Sequence, residues 1–66
     1  MCRSIIALRR PDESASEEEV RAAALQFVRK ISGYRKPSRR NEEAFEQAVS
    51  EITESTRRLL ASVGPA

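Results

Sequence analysis

The chain has no histidine, no tryptophan and a single cysteine, Cys2. One cysteine cannot close an internal disulfide, and without histidine no Cys/His zinc site can be assembled. Two glycines and three prolines among 66 residues are few, which suits a helical chain. Long apolar runs are missing too. Nothing approaches the ~18 consecutive apolar residues of a membrane span. The opening run Ile5-Ile6-Ala7-Leu8 is too short for a signal peptide, and no cleavage region follows it. These absences set the expectation of a cytoplasmic protein with a reduced thiol and no membrane contact. Charge of one sign is scarce as well: 12 basic against 10 acidic residues leave a net charge of +2, which names no partner class. A chain this short buries a modest fraction of its surface. The usual supports are disulfides, metals or oligomerisation, and only the last remains.

What is present is helical periodicity on both sides of one basic stretch. Residues 1–15 read as an extended arm and connector. Ser4 to Leu8 is apolar and partly β-branched, either an arm laid across helices or a strand completed by another copy. Pro11 biases Arg10 toward extended geometry. Residues 16–32 read as the first helix, with Ser16 as N-cap and Glu19 completing a capping box. Glu17, Glu18 and Glu19 complement the dipole at its start, and Arg29 and Lys30 at its end. Val20, Ala24, Phe27, Val28 and Ile31 form its apolar stripe, with Ala23 at the edge and Leu25 well round from it. Gly33 takes the left-handed position after the last turn.

Residues 33–37 form the joint, and residues 38–63 the second helix. Either Ser38 or Asn41 caps that helix, with Ser38 favoured. Phe45, Val49, Ile52, Thr56, Leu59 and Val63 alternate spacings of four and three, a seam of period ~3.5 along one face. Ala48 and Leu60 widen it, and Thr56 is its polar member. Gly64 and Pro65 end the helix. The fold class is all-α: an antiparallel helical hairpin with an extended N-terminal arm, completed either by that arm laid tightly on the helices or, the favoured reading, by homodimerisation into a four-helix bundle.

No catalytic constellation and no metal-ligand set is visible, so neither an enzyme activity nor a cofactor is expected. The stretch Arg29 to Arg40 holds six basic residues and no acidic one. Arg29 and Lys30 suit a helix end, and a turn needs solvating, which accounts for part of that charge without a partner. Arg39 and Arg40 fall at the wrong end of a helix dipole. Arg35, Lys36, Ser38, Arg39 and Arg40 are therefore the candidate site for an anion, either a phosphate-bearing or an acidic protein partner. Nucleic acid is the rival partner, weakened by Glu42, Glu43 and Glu46 soon after and by Tyr34 being the only aromatic in the joint. The rival from another class is a thiol- or metal-dependent activity at Cys2, a candidate reactive thiol exposed as an N-terminal residue if Met1 is removed and favoured as thiolate by Arg3. Glu51 and Glu54 lie at i, i+3 on a solvated face, where Glu54 pairs with Arg57 or Arg58.

The order Met1-Cys2-Arg3, then Ala22 to Gly33, then Lys36-Pro37-Ser38, Asn41, Ala44-Phe45 and Ala48-Val49 resembles a bacterial family catalogued as domain of unknown function 2277. The resemblance covers nearly the whole chain. An asparagine often stands in that family where this chain has Ser4. The resemblance implies a bacterial, cytoplasmic protein and carries over no activity, ligand or catalytic residue.

Overall fold

The computed structural model describes residues 5–64. Helix α1 spans Glu17–Ser32, a 3-10 turn spans Arg39–Asn41, and helix α2 spans Glu42–Val63. The two helices pack as an antiparallel hairpin, and residues 5–16 run as an extended segment without strand structure. The fold is all-α.

Local chemistry explains the first helix at both ends. Ser16 is extended, its hydroxyl accepts from the Glu19 amide (3.1 Å), and the Glu19 carboxylate accepts from the Ser16 amide (2.9 Å). Two amides that the helix itself cannot satisfy are satisfied by this reciprocal pair. At the other end Gly33 adopts φ 77°, and its N–H donates to the Arg29 carbonyl at 2.9 Å. A side chain is strained at that φ, so glycine is what lets the chain leave α1 sharply.

The second helix departs from a single helix beginning at Ser38. Ser38 is extended and opens the 3-10 turn, whose first bond runs from the Asn41 N–H to the Ser38 carbonyl. Neither the Ser38 hydroxyl nor the Asn41 side chain caps a helix amide. Instead the Asn41 amide donates to the Tyr34 hydroxyl at 3.0 Å. The α-helix proper starts only at Glu42.

The core is Ala24 and Val28 of α1 against Phe45 and Val49 of α2, with Leu25, Ala48 and Ile52 packed at its edges, and Val20 is buried as well. Ile31 belongs to the expected stripe but is 66 % exposed; the 3-10 turn packs on α2 and not on α1. Phe27 is 43 % exposed on the flank, while Leu25, expected to face elsewhere, joins the core. The seam of α2 divides in the same way. Phe45 and Val49 turn inward, but Leu59 and Val63 are exposed. Helix α1 reaches only as far as the Glu17–Arg57 ion pair, so the last turns of α2 run past its start. The Thr56 hydroxyl is satisfied within its own helix, by the Ile52 carbonyl at 2.6 Å.

The arm meets the overhanging end of α2. Arg9 Nε donates to the Gly64 carbonyl at 3.1 Å, across 55 residues of sequence. Ile5 and Leu8 are half-buried, whereas Ile6 and Ala7 are exposed.

Candidate functional site at the basic joint

The joint is a short loop closed by four hydrogen bonds. Ser32 donates its hydroxyl to the Val28 carbonyl (2.7 Å) and accepts from the Tyr34 amide (3.2 Å). Arg29 Nε donates to the Arg35 carbonyl (3.0 Å), which folds the loop back onto the last turns of α1. The Tyr34 hydroxyl, held by Asn41, ties the loop to the start of α2. Pro37 is half-buried, and the other loop residues are exposed.

Arg35, Lys36, Ser38, Arg39 and Arg40 therefore lie on the surface within one bend of the chain. Of these five, Arg35 alone lines the shallow cleft of about 350 Å³ at the joint, together with Gln26, Arg29, Lys30, Gly33 and Tyr34. Arg39 and Arg40 occupy the adjacent 3-10 turn. Sequence reasoning gave Arg29 and Lys30 to the dipole of α1; the structure places them in the same cleft as Arg35. The signal for that was Gly33, since a left-handed residue there reverses the chain and carries Arg35 back toward Arg29.

The electrostatics of the joint differ from those of every other basic group along the helices. Arg10 pairs with Glu13 and Glu19, Arg21 with Glu46, Arg57 with Glu17 and Glu54, and Arg58 with Glu54. Among the described residues, none of Arg29, Lys30, Arg35, Lys36, Arg39 and Arg40 has a carboxylate within 4.0 Å. The inter-helix joint is thus a basic surface that the fold does not neutralise.

Sequence reading missed the counterpart of this surface at the other end of the hairpin. Arg10 grips the Glu19 carboxylate with both terminal nitrogens, at 2.7 and 3.0 Å. That fork, with the Ser16 amide, holds the Glu19 carboxyl down at about 2 from its ordinary 4.5. Glu19 in turn pushes the Arg10 guanidinium further up. The contact spans nine residues through an irregular connector, and no periodicity announces it. Beside it lies a cleft of about 520 Å³ with Leu8, Val20, Leu60 and Ala61 among its walls. Of its charged lining residues, Arg10, Glu13, Glu17 and Arg57 are paired.

Cys2, the candidate reactive thiol, lies outside the described residues. Among the described residues, no three His, Cys, Asp or Glu side chains converge as a metal site would require. No helix among them is long and apolar enough to cross a membrane.

No curated protein and no solved structure matches this chain. Residues 1–65 match the family described as "Uncharacterized conserved protein (DUF2277)", and the chain belongs to that family.

Proposed function

We propose that the protein is a non-enzymatic interaction module whose joint holds an anionic group of a partner. The observation that carries this reading is the absence, among the described residues, of carboxylate partners for the six basic residues of the joint, against the pairing of Arg10, Arg21, Arg57 and Arg58 elsewhere. Exposed cations that no internal acid neutralises attract an external one and form charge-assisted hydrogen bonds to it. Arg35, Lys36, Arg39 and Arg40 are the residues assigned to that contact. Ser38 adds a hydroxyl that no helix amide occupies.

An acidic protein segment or a phosphate-bearing group fits better than nucleic acid. Glu42, Glu43 and Glu46 are exposed on the opening turns of α2 and would repel the phosphates flanking a groove. The joint's one aromatic, Tyr34, has its hydroxyl committed to Asn41, a poor start for a base-stacking platform.

The test is amide-shift mapping of the full chain during titration with inorganic phosphate, an acidic peptide, and single- and double-stranded oligonucleotides. The expected result is saturable shifts at residues 33–42 with phosphate or peptide, lost in an Arg39→Glu/Arg40→Glu variant whose remaining spectrum is unchanged. Oligonucleotide binding that falls steeply with salt would transfer the proposal to nucleic acid. Silence toward every anion at low salt would end it.

A further inference from the structure

Beyond the joint, the flank of α2 that carries Ala48, Ile52, Ser55, Leu59 and Ser62 stands out. These residues alternate spacings of four and three, a heptad seam, and none is charged. Ala48 and Ile52 are half-buried at the edge of the core, Ser55 and Ser62 are exposed, and Leu59 is 59 % exposed. The inter-helix ion pairs Arg21–Glu46 and Arg57–Glu17 lie on the other flank of the hairpin by helical phase. On the Leu59 side, no ion pair closes the groove between α1 and α2 among the described residues.

We infer that this flank of α2 pairs with the same flank of a second copy of the chain, antiparallel across a two-fold axis. Among the registers that set large side chains against small ones, one also sets opposite charges together on the rim. Leu59 meets Ala48 of the second copy, and Ile52 meets Ser55, with the same contacts repeated by symmetry. That register brings Glu51 beside Arg58 of the second copy, and Arg58 beside its Glu51. Within one chain these two charges are weakly used. Among the described residues, Glu51 accepts only from Gln47, and Arg58 reaches Glu54 at 3.9 Å while Glu54 is held more closely by Arg57. The Leu59 end of the second copy also lies over the flank of α1 that carries Phe27, which is 43 % exposed. The charge complement is what selects a second copy as the occupant: an isologous antiparallel surface needs each rim to carry both signs at matched positions. Glu51 and Arg58, two turns apart on one rim, do so. The pairing sets the two basic joints at opposite ends of the dimer, roughly 40 Å apart at 1.5 Å per helical residue.

Sedimentation equilibrium of the full chain over roughly 1 µM to 1 mM, the range of modest homodimer affinities, tests this. The expected result is a monomer–dimer equilibrium. Glu51→Arg or Arg58→Glu alone should raise its dissociation constant by about tenfold or more, since the two-fold makes each substitution act twice. The Glu51→Arg/Arg58→Glu double variant should restore dimerisation, because both cross-copy pairs re-form with exchanged signs. Helical circular dichroism of each variant checks that the hairpin persists. A monomer throughout the range, single variants that dimerise as the parent does, or a double variant no better than the singles would each overturn the proposal. None of these outcomes bears on anion binding at the joint.

Discussion

The two ends of the hairpin solve different problems with the same residue types. At the arm end, arginines meet glutamates: Arg10 with Glu19, Arg57 with Glu17 and Glu54. There the helices no longer face each other fully, so polar contacts and the arm close the structure. At the joint end, the dry contact of Phe45 and Val49 against Ala24 and Val28 holds the helices together. Among the described residues, the basic groups around it have no acids of their own. The lesson is that charge which the fold requires can be told from charge which it does not. Where packing suffices, unpaired cations remain free for something outside the chain.

The comparison breaks first at the core. Phe45 is 7 % exposed, and Phe45→Ala should cost about 3–5 kcal/mol, comparable to the whole stability of a chain this small. Thermal unfolding followed by circular dichroism should show no cooperative transition at room temperature and above. A variant that still melted cooperatively near the parent temperature would mean that the arm end, not the joint end, supplies most of the stability.

A smaller effect separates the two serines that open the helical segments. Ser16 completes a reciprocal cap, whereas Ser38 makes no side-chain cap bond. Ser16→Ala should therefore cost about 1 kcal/mol, and Ser38→Ala should leave the urea midpoint nearly unmoved. Equal losses at the two positions would show that the joint serine is also part of the fold.

The smallest effect is in the acid limb of stability. The Glu19 carboxyl sits at about 2 in the folded chain, against an ordinary 4.5. A depressed carboxyl stabilises the fold above its unfolded pKa and loses that contribution as pH falls from about 4.5 toward 2. Melting temperature should drop over that window in the parent chain, and by less in Arg10→Ala, which lacks the fork. Both side chains stay partly exposed, so solvent screening keeps the effect modest. Arg39→Glu should leave this acid limb untouched, since Arg39 has no carboxylate partner in the described chain.

Much of this architecture was legible from local chemistry. The Ser16-x-x-Glu19 box and Gly33 mark the ends of α1, because capping needs only residues within a turn of each other. The absence of acids from Arg29 to Arg40 marked the joint for the same reason. What could not be read was the burial of α2 and the role of the arm. A seam from Phe45 to Val63 looks continuous in sequence. Whether Leu59 faces a neighbour depends on where α1 begins, and α1 begins opposite Arg57. Leu25 and Phe27 exchange their expected roles because the crossing of two helices, not the phase of one, decides which side is covered. The Arg10–Glu19 fork was hidden in an irregular connector whose path follows no period.

The sequence alone determined the number of helices, the boundaries of the first, the sharp reversal at Gly33 and the basic character of the bend. These depend on backbone propensity, capping and charge within a few residues. Only the tertiary structure decided which apolar residues became core, which arginines were matched by glutamates and which cations were left unmatched. Those outcomes depend on distances between segments far apart in the chain, set when two helices of unequal length pack side by side and leave one end of each without a neighbour.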